Sequence, residues 1–171
     1  VDAMRLSIAI VNWNTTGLLS ALLRSIRRYG PAFDYEVIVV DNASDDFHEA
    51  EFPDVQLIRN NENLGYARAN NQAFAAARGD YVLLLNPDTE ITKGAIEALV
   101  AFMESHPDAA AAGAKLVRPD GSIDHSVRGF PYPGPIAWEY TGLSKIFAKS
   151  RTFGAYRMSY FNYDEIAEVD Q

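Results

Sequence analysis

A chain of 171 residues with 48% apolar side chains is long and apolar enough to bury a core of its own, and a single domain is the expectation. Fifteen Lys and Arg against 23 Asp and Glu give a net charge of −8, and no basic run supplies the electrostatic footprint of a nucleic-acid binder, so nucleic acid is set aside as a partner. Cysteine is absent, which removes disulfides, thiolate zinc sites and thiol nucleophiles together and fits a reducing compartment, with the cytoplasm as the expected location.

The acidic balance is awkward for any polyanionic ligand, so a phosphate-binding reading must include a divalent cation. No apolar run approaches the roughly 18 residues that span a bilayer. The opening Val1-Asp2-Ala3-Met4-Arg5 has neither the basic flank nor the apolar stretch of a signal peptide, so any membrane association is expected to be peripheral. The triplets Asn14-Thr15-Thr16 and Asn42-Ala43-Ser44 match glycosylation acceptors but carry little weight without a secretory signal.

In chain order, Leu6 to Val11 is an Ile/Val-rich run that predicts a strand. Leu18, Leu19, Leu22, Leu23 and Ile26 follow at helical spacing, with Thr15 and Thr16 as N-cap candidates. Glu36 to Val40 and Val55 to Ile58 predict two further strands, Tyr66 to Ala77 an Ala-rich helix, and Tyr81 to Leu85 a fourth strand. Thr92 is a capping candidate for a helix carrying Ile96, Leu99, Val100 and Met103, which Pro107 stops before the Ala-rich segment Ala109 to Val117. Strands that are apolar throughout and alternate with helices predict an α/β architecture, a doubly wound, mainly parallel sheet with helices on both faces.

In such sheets ligands bind beyond the carboxyl ends of the strands. Three apolar runs stop there at polar tips: Asn12-Trp13-Asn14 after Val11, Asp41-Asn42-Ala43-Ser44-Asp45-Asp46 after Val40, and Asn86-Pro87-Asp88-Thr89 after Leu85. Any one tip alone is equally well an Asx-turn or a helix cap, whereas three on one edge point to a site. A carboxylate at one tip can accept the imide N–H of a pyrimidine and a carboxylate at another can hold a hard cation against a diphosphate; Asp41 suits the base and Asp88 the metal.

Four segments, Ile10-Val11-Asn12-Trp13-Asn14, Val39-Val40-Asp41-Asn42-Ala43-Ser44-Asp45, Asn63-Leu64-Gly65-Tyr66-Ala67-Arg68-Ala69-Asn70-Asn71 and Leu85-Asn86-Pro87-Asp88-Thr89, together resemble the family 2 glycosyltransferases, with the nearest likeness to their rhamnosyltransferase-like branch. The resemblance runs from Leu6 to Gln171; the motifs are specific in combination and weak singly. It implies a GT-A fold, a nucleoside-diphosphate sugar donor such as dTDP-rhamnose or a UDP-sugar, a Mg²⁺ or Mn²⁺ ion, a saccharide or lipid-linked acceptor in cell-surface polysaccharide synthesis, and displacement with inversion at the anomeric carbon.

Carried over residue by residue, Asp41 matches the aspartate that contacts the base, with Asn42 beside it, and Asn12 lies on the tip that runs along the nucleoside. Asn86-Pro87-Asp88 matches the family's Asp-any-Asp metal motif with Asn in place of the first Asp. That makes Asp88 the principal carboxylate ligand, while Asn86 offers a neutral oxygen or contacts the donor's sugar or ribose. Gly65 permits close backbone approach where a helix N-terminus favours phosphate, and Arg68 and Asn71 are either donor contacts or surface and capping residues. The family's catalytic base follows a segment resembling Glu168-Val169-Asp170-Gln171, so the base is expected beyond Gln171 and the chain is expected to be a donor-binding part that lacks it. Asp45 and Asp46 are read as ribose contacts or solvated loop residues, not bases.

Pro119-Asp120-Gly121-Ser122 reads as a turn and Arg128 to Pro135 as an irregular loop. From Trp138 onward, aromatic and aliphatic residues interleave with Lys145, Lys149, Arg151 and Arg157. This suits a membrane-facing or lipid-acceptor surface, but ordinary packing against further chain is preferred. His48, His106 and His125 lack metal-ligand spacing, and adjacent Asp124, His125 and Ser126 do not make a triad. No dinucleotide or Gly-Lys-Ser/Thr phosphate loop is present, and the Gly-rich basic loop of sugar nucleotidyltransferases is replaced by Asn12-Trp13-Asn14-Thr15-Thr16. A nucleotide-sugar-binding module without catalysis remains the non-enzymatic alternative.

Overall fold

Residues 4–170 are described by a computed structural model, so Val1, Asp2, Ala3 and Gln171, the last residue of the segment likened to the family's pre-base stretch, lie outside the described residues. The chain divides into two units, Val1–Ala112 and Gly113–Gln171. In the first, β1 (Leu6–Asn12), β2 (Tyr35–Asp41), β3 (Gln56–Arg59) and β4 (Tyr81–Leu85) form one sheet of order β3-β2-β1-β4, and every pairing is parallel. The strands at the middle of the sheet are the most apolar, and all seven residues of β1 are buried. Such burial on both faces is what a strand covered by crossover helices requires.

Alternation of side chains sorts the core into two layers. Leu6, Ile8, Ile10, Val37 and Val39 face α1 (Thr16–Tyr29) and α3 (Ala95–Ser105), packing with Leu19, Leu22, Leu23, Ile26, Ile96 and Val100. Ala9, Val11, Ile38 and Val40 face α2 (Tyr66–Ala76), which presents Ala69 and Ala73. Helices therefore lie on both faces, as the alternation of elements predicts. The alanines bring the backbone of α2 close to the sheet. Truncating Leu19, Leu22 or Ile26 to Ala would cost about 2–5 kcal/mol each, the range for emptying a packed core site.

The amino ends of the strands are pinned by a polar knot in which Ser7 and Glu36 are buried and the Arg78 side chain is exposed. Ser7 Oγ donates to Glu36 Oε1 at 2.7 Å, the Arg78 backbone N–H donates to the same oxygen at 2.8 Å, and Arg78 Nε and Nη2 reach Glu36 Oε2 at 3.0 and 2.6 Å. Burial pushes the Glu36 carboxyl up, but the hydrogen bonds from Arg78 and Ser7 and the guanidinium charge outweigh it and hold it below the ordinary glutamate range. Gly79 follows where the chain crosses β1 so closely that a Cβ would stand 2.5 Å from the Ser7 nitrogen.

Two capping expectations are corrected. Thr15 occupies the N-cap position of α1 but makes no capping bond; Asp46 Oδ2 instead accepts the Thr16 N–H at 3.2 Å, and the Thr15 hydroxyl turns to Asn12 Oδ1 at 2.8 Å. A carboxylate at a helix N-terminus is favoured over a hydroxyl by its charge as well as its hydrogen bond. Thr92 does not cap α3 either, because the helix starts after Gly94, which takes a left-handed conformation at φ 80°.

In the second unit, β5 (Leu116–Val117) and β6 (Ile123–Asp124) form a short antiparallel hairpin. Its turn is the predicted Pro119 to Ser122, with Asp120 Oδ1 accepting from Ser122 N at 2.9 Å. The Ala-rich stretch is irregular as far as β5, and the Pro-rich loop ends in α4 (Pro133–Thr141), for which Pro133 supplies a preset first turn. Gly142, at φ 78°, links α4 to α5 (Leu143–Ile146). Aromatic residues here pack on one another, with Phe153 between Trp138 and Phe147 at 5.3 Å from each, while Tyr140 and Ile146 stay exposed. No helix among the described residues is long and apolar enough to cross a membrane.

Candidate functional site

The carboxyl edge of the sheet gathers the three polar tips. Asn12 and Asp41 are the last register partners of β1 and β2, and Leu85, partnered with Ile10, brings Asn86 to the same edge. Adjacent parallel strands lie about 4.8 Å apart, which puts the Asn12 and Asp41 side chains within reach of each other. Asn12 Nδ2 donates to Asp41 Oδ1 at 2.9 Å and to Ser44 Oγ at 3.1 Å, and the Ser44 backbone N–H donates to Asp41 Oδ2 at 3.1 Å. Asn14 and Ala43 adopt left-handed conformations, φ 51° and 59°, that turn the chain sharply after each strand. The Asn14 N–H then meets Ser44 Oγ at 2.8 Å, and Asn14 Oδ1 accepts from Asp45 N at 2.9 Å.

Asp41 is wholly buried. Its cover is Arg59, at the end of β3, whose Nε stands 3.7 Å from Asp41 Oδ2 while its side chain is 49% exposed. The guanidinium also lies over the Phe47 ring, 5.7 Å from the centroid. Asn42, likewise buried, accepts at Oδ1 from Asn60 Nδ2 at 2.9 Å, and Asn60 and Gln72 exchange amide hydrogen bonds of 2.9 Å in both directions. A chain of amides thus ties the tips of β2 and β3 to α2. Asp46, read from the sequence as a ribose contact or a solvated residue, is occupied in capping α1.

On the other side of β1, Gly65 opens α2 at φ 80° and ψ 162°, a region reserved for glycine, and its N–H donates to Asn63 Oδ1 at 2.8 Å. No side chain caps the first turn, so its N–H groups are unclaimed by a capping side chain. Tyr66 reaches across to the tip of β4, its hydroxyl donating to Asn86 Oδ1 at 3.2 Å. Asn86-Pro87-Asp88-Thr89 closes as a turn through Thr89 N to Asn86 O at 3.1 Å, which leaves Asp88 exposed at its corner.

Among the described residues no group of three or more His, Cys, Asp or Glu could hold a metal unaided. One exposed carboxylate still fits a Mg²⁺-type ion, which is commonly held by one or two carboxylates together with substrate phosphates. Of the remaining candidates, Arg68 and Asn71 are exposed, while Ala69, Asn70 and Ala73 form the buried side of α2. Ser44, Arg59, Asn60, Tyr66 and Gln72 join the site without having been singled out. Arg59 alone carried a signal of the kind that marked Asp41, a charge ending an apolar run. A cavity of about 590 Å³ lies at the opposite end of the strands, near Glu36 and Arg78, away from the polar tips.

A parallel sheet sandwiched by helices with its polar tips on one edge is an α/β domain of the GT-A type, and comparison with solved structures agrees. The TarS fragment 1–349 of S. aureus in complex with UDP-GlcNAc superposes with a TM-score of 0.53 at 25% identity, over 61% of this chain and 32% of that one. A mannosyltransferase, PcManGT of Pyrobaculum calidifontis, in complex with GDP-Man and Mn²⁺, shares the fold with a TM-score of 0.56 at 24% identity, over 68% of this chain and 36% of that one.

The family model described as Glycosyl transferase family 2 matches residues 7–163, and the chain belongs to that family. It is 32% identical over 110 residues to the N-acetylglucosaminyl-diphospho-decaprenol L-rhamnosyltransferase of Mycobacterium tuberculosis, covering 56% of this chain and 36% of that protein. The chain spans between 14% and 42% of the length of the first curated relatives that it matches.

Proposed function

We propose that this chain is the donor-binding part of an inverting glycosyltransferase that uses a nucleoside-diphosphate sugar in cell-surface polysaccharide synthesis. The observation that carries the reading is the meeting of Asn12, Asp41 and the Asn86-Pro87-Asp88 turn on one sheet edge, beside a helix N-terminus without a side-chain cap. Family membership and the activities of the relatives, a decaprenol-linked rhamnosyl transfer and a poly(ribitol-phosphate) β-N-acetylglucosaminyl transfer, support the reaction class.

In this reading Asp41, oriented by Asn12 and Ser44, accepts the imide N–H of a pyrimidine once Arg59 turns aside from its oxygen. The free N–H groups at the start of α2 face the diphosphate, with Gly65 keeping the approach open. Asp88 would hold Mg²⁺ or Mn²⁺, which when bound supplies the charge sink for the leaving diphosphate. The acceptor is a saccharide or a lipid-linked saccharide, and a lipid-linked one would place the protein at the cytoplasmic face of a membrane. A dTDP- or UDP-sugar is the donor class that fits a carboxylate at the base position.

Calorimetry with UDP and dTDP, with and without Mn²⁺, tests this reading. Binding is expected with the metal, and Asp41→Ala and Asp88→Ala should each weaken it at least tenfold. Metal-independent binding, or no binding of any pyrimidine nucleotide, would overturn it.

A further inference from the structure

The substitution of Asn for a carboxylate at the first position of the Asn86-Pro87-Asp88 motif leaves open what the amide does, and its neighbour Tyr66 decides it. Both partners of this contact are held from behind. Asn70, buried in α2, donates from Nδ2 to the Tyr66 carbonyl at 3.0 Å, and the Asn63 side chain fixes the Gly65 N–H immediately before it. On the other side the Asn86 carbonyl accepts both the Thr89 N–H, at 3.1 Å, and the Thr89 hydroxyl, at 2.5 Å. Two locally braced turns, 20 residues apart in sequence, therefore meet through one hydrogen bond from the Tyr66 hydroxyl to Asn86 Oδ1.

An amide whose oxygen accepts from Tyr66 has its NH₂ directed away from that hydroxyl, and the NH₂ is a donor only. An N–H group cannot ligate a cation but can donate to an oxygen of an anionic or hydroxylated ligand. We propose that Tyr66 is a positioning residue: it holds Asn86 Oδ1 so that Asn86 Nδ2 donates to an acceptor oxygen of the sugar nucleotide, and metal ligation falls to Asp88 alone. This assignment rests on the donor-binding reading above and gives Asn86 and Asp88 separate duties within one turn. The shared chemistry is an oxygen acceptor, located on the ribose or diphosphate of the nucleotide or on the sugar.

The test compares the full chain with Tyr66→Phe, Asn86→Ala, the double variant and Asp88→Ala. UDP and UDP-GlcNAc affinities are measured at saturating Mn²⁺, together with the Mn²⁺ concentration that gives half-maximal UDP binding. Tyr66→Phe and Asn86→Ala should each weaken UDP-GlcNAc binding by about fivefold, the loss expected for one hydrogen bond, and the double variant should be no worse than Asn86→Ala. Their Mn²⁺ requirement should stay within about twofold of the parent, whereas Asp88→Ala should raise it more than about tenfold. An equal loss with UDP places the acceptor oxygen on the ribose or diphosphate that UDP and UDP-GlcNAc share, and a loss confined to UDP-GlcNAc places it on the sugar; both support the assignment. Unchanged affinity in Tyr66→Phe, additive effects, or a rise in Mn²⁺ requirement on removing Asn86 would overturn it.

The nucleotide-free chain gives an independent readout. The side-chain amide resonances of Asn86 should move in Tyr66→Phe while the melting temperature does not, and unmoved resonances would refute the contact even if no nucleotide bound at all. Absence of nucleotide binding by the parent chain would instead refute the donor-binding reading.

Discussion

The half-exposed guanidinium of Arg59 stands 3.7 Å from the wholly buried carboxylate of Asp41, so the residue best suited to read a base is paired with a side chain that is itself half in solvent. An ion pair with one partner so exposed is worth at most about 1 kcal/mol. Replacing Arg59 with Met should therefore tighten pyrimidine-nucleotide binding by about two- to fivefold, since no ion pair has to be broken, at a stability cost of no more than about 1 kcal/mol. Weaker binding in Arg59→Met, measured by calorimetry, would mean that the guanidinium itself holds the nucleotide.

Asp41 and Asp88 should separate by stability. Asp41→Asn sets an amide NH₂ against one of two N–H donors, Asn12 Nδ2 on one oxygen or Ser44 N on the other, and should cost about 2–4 kcal/mol in denaturant unfolding. Asp88→Asn, at an exposed turn corner, should leave unfolding unchanged within about 0.5 kcal/mol while removing metal-dependent nucleotide binding.

The Glu36 knot predicts an acid limb of stability. Its folded pKa is lowered from the ordinary value of about 4.5, so the stabilisation is fully present above that pH and is lost as pH falls through the lowered folded value. Glu36→Gln should cost about 2 kcal/mol at neutral pH, and the gap from the parent should narrow on acidification below about pH 4.5. A gap constant from pH 7 to 3 would show that the carboxylate charge contributes nothing.

Gly65 and Gly79 should both resist alanine, for different reasons. A Cβ at Gly65 meets nothing within 4 Å, so Gly65→Ala fails through its φ of 80°, at about 1–3 kcal/mol, and loosens the start of α2. A Cβ at Gly79 collides with the β1 backbone, and Gly79→Ala should cost more. Equal, small losses in thermal unfolding would contradict both accounts.

Much of this arrangement was legible in the sequence because it is local. A strand that ends in Asn or Asp announces its tip, and three such tips in an alternating α/β pattern must share one edge. What was illegible depends on contacts distant in sequence: the Asn42–Asn60–Gln72 amide chain, the cover of Arg59 over Asp41, and the reach of Tyr66 to Asn86. Asp46 is exposed, in keeping with a solvated loop residue, and its added duty of accepting the Thr16 N–H was illegible because that helix N-terminus lies 30 residues earlier. The run Tyr81 to Leu85 read as a strand buried on both faces, yet Val82 and Leu84 are exposed, since apolarity does not reveal that a strand lies at the end of a four-stranded sheet.

The registers give the two ends of the crevice different mechanical character. Asn12 and Asp41 close the last rung of a ladder at the centre of the sheet, and the carbonyl of each accepts from the tip of the neighbouring strand, Asn12 O from Asn42 N beyond β2 and Asp41 O from Asn60 N beyond β3. Asn86 to Thr89 lie past the last rung of β4 and are tied mainly to themselves. In hydrogen exchange, the amides around the first pair should open only with the whole unit, and those of the Asn86 turn through brief local excursions. A crevice anchored at one end and pliant at the other can keep a fixed hold on one part of a ligand while the other part comes and goes.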